Sequence, residues 1–228
     1  MKIIRPGATA KNTFVLAYGI GSLFLGCAGQ AQVFENQGNE EKNGELLVEA
    51  EDFYRQSKTD IRKWYVISPG FQTDLKENDA HLHTKDAGKG TYIEILPDSR
   101  TNHDDPLRPG VNFSNAPGKL AVVHYKVKIN NPGRYYIWVR AHSVNSEDNG
   151  VHVGLNGEWP ASGQRMQWCE GKHSWYWDSR QRTDAVHCGE PGLIYLDIDT
   201  PGEHEVLFSM REDGFEMDQW MMTKNKDL

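Results

Sequence analysis

Cysteine, basic charge, long apolar runs and helical periodicity are all in short supply in this chain, and each shortage removes a class of explanation. Cysteine occurs three times in 228 residues, at Cys27, Cys169 and Cys188. None forms a Cys-x-x-Cys pair, which argues against a zinc ribbon or finger. Lys and Arg total 25 against 32 Asp and Glu, a net charge of −7. The first 31 residues hold Lys2, Arg5 and Lys11 and no acid, so the remainder is more acidic still. Phosphate backbones and anionic membranes are held by basic surfaces, so neither is an expected partner of the folded part. The apolar run from Phe14 to Leu25 is too short to cross a bilayer comfortably. No stretch sustains a 3.6-residue apolar period, which leaves strands as the building element.

The amino terminus has the form of an export signal over residues 1–31: a basic start, then the apolar run. It ends Leu23-Phe24-Leu25-Gly26-Cys27, which resembles a bacterial lipobox with Cys27 as the acylated residue. Ordinary cleavage after Ala31 is the competing reading. Residues 32–45 are polar and poor in apolar groups, and are expected to be a disordered tether. The folded domain is expected over 46–228, outside the cytoplasm, as a cell-surface or periplasmic lipoprotein or a secreted protein. With Cys27 acylated or removed, two cysteines remain, which suits a Cys169–Cys188 disulfide in an oxidising compartment. Closing that loop would contribute roughly 3 kcal/mol in the chain-entropy model. Two free buried thiols are the alternative.

Strand patterns fill the rest. Leu46 to Phe53 alternates apolar residues with carboxylates; Trp64 to Ile67 and Gly90 to Leu96 are further candidates. Leu120 to Ile129 places Ala121, Val123, Tyr125, Val127 and Ile129 on one face, and Arg134 to His142 does the same with Tyr135, Ile137, Val139 and Ala141. Pro132-Gly133 joins them, and Pro201-Gly202 joins a similar pair, 193–198 and 203–210. Val151 to Leu155 and Phe215 to Met222 complete the set. Eight or nine strands of this kind predict an all-β, antiparallel two-sheet β-sandwich or jelly roll with long loops.

The stretch from Trp159 to Cys188 breaks the pattern. It holds four of the seven tryptophans, with no alternation of apolar and polar residues. It reads as a long ordered loop, pinned by the disulfide, that offers aromatic faces and charged groups at one end of the sandwich. Sugar rings present C–H patches that aromatic rings cover and hydroxyls that charged groups bind. Trp168, Trp175, Tyr176 and Trp177 supply the rings; Arg165, Glu170, Asp178 and Arg180 supply the polar groups. About half of the four rings are expected to be structural. Trp159, Trp138 and Trp220 read as packing or sheet-face residues.

Five segments, in order, carry a family resemblance: Val48-Glu49-Ala50-Glu51, Gly90-Thr91-Tyr92-Ile93-Glu94, Pro132 to Arg140, Pro201 to Val206, and Met217-Asp218-Gln219-Trp220. Together they resemble the galactose-binding-like β-sandwiches of carbohydrate-binding module families 6 and 35, and related C-terminal domains of large bacterial glycoside hydrolases. The resemblance implies a polysaccharide or oligosaccharide ligand, glycoside hydrolases acting nearby, and a structural calcium ion on Glu49, Glu51 and Asp218. Carboxylates two apart on a strand point the same way, and calcium takes six to eight oxygens.

Binding without bond cleavage is the leading expectation. A lyase, esterase or glycosidase is the second, with His103-Asp104-Asp105, Arg108, His142 and Glu147-Asp148 as candidate groups and His81 and His83 as candidate metal ligands. An adhesive lipoprotein whose aromatic loop anchors a protein partner is the third.

Overall fold

The computed structural model describes residues 39–75 and 81–227. The export segment 1–31, Cys27 and residues 32–38 of the tether lie outside the described residues.

In chain order the strands are β1 (Asn39–Glu40), β2 (Glu45–Glu49), β3 (Arg55–Ser57), β4 (Lys63–Ile67) and β5 (Tyr92–Leu96). Then come β6 (Val122–Ile129), β7 (Gly133–His142), β8 (Gly150–Leu155), β9 (Met166–Gln167) and β10 (Trp175–Asp178). The last five are β11 (Arg180–Gln181), β12 (Glu190–Pro191), β13 (Tyr195–Ile198), β14 (Gly202–Met210) and β15 (Glu216–Thr223). One sheet runs β1-β6-β14-β8-β9-β11-β12, with β3 also on β6. The other runs β10-β7-β15-β5-β4, with β13 also on β7 and β2 on β15. Pairing is antiparallel apart from β1 on β6. This is the two-layer sandwich that the alternation predicts.

One core joins the layers. Val123, Tyr125, Val127 and Ile129 of β6 and Val206, Phe208 and Met210 of β14 meet Tyr135, Ile137, Val139 and Ala141 of β7 and Met217, Trp220 and Met222 of β15. At its centre the Trp220 ring lies 5.1 Å from Tyr125 and 5.5 Å from Phe208. Full burial of such side chains contributes about 1.5–3 kcal/mol each, enough to hold the sheets as a rigid frame.

The order begins earlier than the sequence suggests. Residues 39–45, read as the end of a tether, are built into the sheet: β1 pairs with β6, and the buried Glu41 carboxylate accepts from the backbone N–H of Asn130 and Asn131, each at 2.9 Å. Composition shows the polarity of this stretch but not the turn that Glu41 fastens.

Two features position the site. In β15 the register shifts between Met217 and Gln219, so Asp218 is the extra residue of a bulge. Residues on the far side of β5 and β10 face away from the core and carry a second apolar cluster. There Ile67, Tyr92 and Leu96 pack with Tyr65, Phe71, Leu75, Ala87 and Trp175 under the loop after β4.

Candidate functional site

The 159–188 stretch is less of a loop than its composition suggests. Trp175 to Asp178 forms β10, paired antiparallel with the upper half of β7, so that Trp175 faces His142 and Trp177 faces Arg140. The stretch fails to alternate because both of its faces carry rings. Tyr176 and Asp178 point inward opposite Ala141 and Val139, while Trp175 and Trp177 lie on the outer face. The Cys169–Cys188 disulfide is present, with Cα atoms 5.4 Å apart, and ties the segment before β10 to the segment before β12.

The outer face of β10 and β7 forms an open groove of about 460 Å³, lined by Trp138, Trp175, Tyr176, Trp177, Asp178, Ser179, Arg180 and Pro191. Trp138 and Trp177 are half-buried and face outward from adjacent strands. The Trp175 indole N–H donates to the His83 carbonyl at 3.1 Å, and its ring meets Tyr92 at 5.2 Å and His142 at 5.5 Å. It therefore holds the covering loop as well as lining the groove. Tyr176 packs on the core and its hydroxyl donates to Glu170 at 3.3 Å.

The polar end of the groove is a small charge network. Arg180 bonds Glu170 at 2.8 Å and stands 3.7 Å from Asp178 Oδ2. Asp178 Oδ1 accepts from the Ser179 N–H at 2.7 Å, whereas Oδ2 is buried without a hydrogen-bond partner. Burial pushes the Asp178 carboxyl up to about 6, against the pull of Ser179 and Arg180.

Five of the eight sequence-predicted contact residues thus share this groove: Trp175, Tyr176, Trp177, Asp178 and Arg180. Glu170 borders it through Arg180. Two do not belong. Trp168 is 1% exposed, with its ring 5.1 Å from Phe215 and its N–H donating to the Tyr176 carbonyl at 3.3 Å. It is a core residue, and no ligand ring can stack on it. Arg165 lines a separate cleft of about 400 Å³ with Arg100, His103, Glu147, Arg182, His187 and Arg211. There Arg165 Nη1 bonds Asp184 at 3.1 Å, and the Nε atoms of Arg165 and Arg211 are buried without partners. Trp138, Ser179 and Pro191 were missed; the outward position of Trp138 in the β7 alternation was the available signal.

The candidate catalytic acids are largely committed to structure. Glu147 pairs with Arg100 and lies 3.1 Å from His103. Asp148 accepts from the Ser143 hydroxyl at 2.6 Å and the Val144 N–H at 2.9 Å. Asp105 caps a turn, accepting from the Thr101 N–H at 3.0 Å and the Asn102 amide at 2.8 Å.

The carboxylates implied as calcium ligands lie where β2 meets the β15 bulge. A Cβ on Gly88 would sit 2.9 Å from Gln219 Nε2 and 3.1 Å from both Asp218 Oδ1 and Glu49 Oε2, so a larger residue here would push these side chains apart. Glu51 Oε2 is buried and unpartnered, and burial pushes that carboxyl up to about 7, with Glu49 and Asp52 adding to the push. The donors are all oxygen and one carboxylate atom is orphaned, the chemistry a hard cation takes, but the three carboxylates do not converge as a group in this arrangement. Asp218 is meanwhile paired with Arg140 and accepts from the Gly88 N–H at 2.7 Å.

No protein-family model matches the chain. It is 55% identical over 198 residues to uncharacterized protein P23 of Formosa agariphila, covering 87% of this chain and 48% of that protein. The chain therefore spans about half the length of the curated relative it matches. Solved structures similar to it include carbohydrate-binding modules of families 6 and 35, the group its motifs resemble. One is the C-terminal family 6 module of LamC, a marine laminarinase from Zobellia galactanivorans (15% identity, 79% of this chain and 99% of that one, TM-score 0.40). Another is a family 35 module from Clostridium thermocellum (13%, 78% and 96%, TM-score 0.38). The fold assignment rests on the strand order and register of the chain itself.

Proposed function

We propose that this chain is a carbohydrate-binding module that captures a polysaccharide in the outer-face groove of β7 and β10 and breaks no bond in it. The observation that carries the reading is the pairing, at one open groove, of the outward indoles of Trp138 and Trp177 with the polar cluster of Arg180 and its ion-pair partner Glu170. Indole faces suit the C–H side of a sugar ring, and the cluster suits its hydroxyls. The likeness to carbohydrate-binding modules supports the same reading. The arginine-lined cleft around Arg165 and Arg211 suits a carboxylate or sulfate, so an acidic polysaccharide is the favoured class. In this proposal the module is exported, held at the cell exterior through acylated Cys27, and presents its glycan to glycoside hydrolases acting nearby. Glu49, Glu51 and Asp218 would hold calcium, which supplies the positive charge that the orphaned Glu51 carboxylate lacks.

The test is a panel of neutral and acidic plant and algal polysaccharides, read by affinity electrophoresis and by release of reducing ends. Retention of at least one glycan without product is expected. Trp177→Ala should weaken it about tenfold, equivalent to about 1.4 kcal/mol, while the melting temperature holds. Full retention by that variant removes the groove from the proposal. Product release supports an enzyme instead, and silence on every glycan supports a protein partner.

A further inference from the structure

His142 of β7 and Glu216 of β15 are direct cross-strand partners, so their side chains leave the sheet on the same face. The loop over that face lays His83 on top of them. The His83 ring stacks on His142 with centroids 3.7 Å apart. His83 Nδ1 lies 2.8 and 2.9 Å from the two Glu216 oxygens, and His142 Nδ1 lies 3.8 Å from Glu216 Oε1. One potential ligand atom from each residue falls within 4.8 Å of the others, the one such group among the described residues.

A hydrogen-bonded trio would need no further explanation were every polar atom used. One is not. His142 is 5% exposed, and its Nδ1 is buried without a hydrogen-bond partner. The ring also hydrogen-bonds the backbone of His173, the kind of contact that orients a metal-bound imidazole. That unpartnered nitrogen and a carboxylate oxygen stand 3.8 Å apart, too far for a hydrogen bond and close enough to share one cation.

We propose that His83, His142 and Glu216 bind a divalent transition-metal ion of the zinc class. Two imidazoles and one carboxylate suit a borderline ion, whereas calcium and magnesium favour oxygen ligands. The site is thus chemically distinct from the oxygen donors of Glu49, Glu51 and Asp218. It also opens onto a cavity of about 390 Å³ lined by Lys85, Arg140, His173 and Trp175. Three protein ligands leave a fourth position facing that cavity, free for water or for an oxygen of a bound molecule.

The experiment uses the full chain, stripped with a chelator and titrated with zinc chloride by calorimetry, with cobalt(II) as a spectroscopic stand-in. The expected result is saturable uptake of about one ion per chain, a higher melting temperature with zinc, and the visible absorption of low-coordinate cobalt. His83→Ala, on a side chain 21% exposed, should weaken zinc binding roughly tenfold or more with the fold retained. Glu216→Gln should act likewise, and far-ultraviolet circular dichroism identifies any variant that fails to fold. His81→Ala, on an exposed neighbour outside the trio, should bind as the parent does. A folded parent that takes up no zinc overturns the proposal. So does zinc uptake of equal affinity in His83→Ala and the parent.

Discussion

Asp178 permits a quantitative test of the groove's electrostatics. Its folded-state carboxyl is raised from 3.8 to about 6, chiefly by burial. A raised carboxyl means that the folded protein holds the proton more tightly than the unfolded chain does. The stability this confers is complete below the unfolded value of 3.8 and is lost as pH rises through about 6. The full shift corresponds to about 3 kcal/mol, of which about 2 to 3 kcal/mol falls between pH 4 and pH 8. Asp178→Asn keeps the shape and the acceptor for the Ser179 N–H but cannot ionise. Urea unfolding of parent and variant at both pH values gives a double difference in which the other carboxylates cancel. Asn should gain on Asp by about 2 kcal/mol or more on going from pH 4 to pH 8. If the difference between the two proteins is the same at both pH values, Arg180 neutralises Asp178 fully. The groove then holds no desolvated carboxyl.

Two further outcomes follow from the scaffold. Calcium should raise the melting temperature of the chelator-treated protein, and Glu51→Gln should reduce that rise; identical melting curves with EDTA and with calcium would remove the site. Replacing Cys169 and Cys188 by Ser should lower stability by roughly 3 kcal/mol in the chain-entropy model. Equal denaturation midpoints for the two proteins would show that the crosslink constrains little.

The alternating strands were legible because one face of each packs on the core, as in β6 and the lower part of β7. β10 was not, since its inner face fills the core edge with Tyr176 while its outer face carries two more rings. A period of two disappears when both faces are large and apolar. Five of the residues that composition singles out, adjacent or near-adjacent in the chain, line one groove. Trp168 was misassigned because proximity in sequence to Cys169 says nothing about which way a ring points. The pairing of His142 with Glu216 depends on cross-strand register, which joins residues far apart in the chain and leaves no local mark.

The clamp made by Glu41 has a mechanical corollary. Any pull transmitted from the chain before Asn39 reaches the domain at β1, a two-residue strand lying parallel to β6. Drawn along the strand axis, those hydrogen bonds and the grip of Glu41 on Asn130 and Asn131 bear load together, in shear, rather than parting one after another. Tension along the chain would therefore be resisted first at this corner, before it spreads into the sheets.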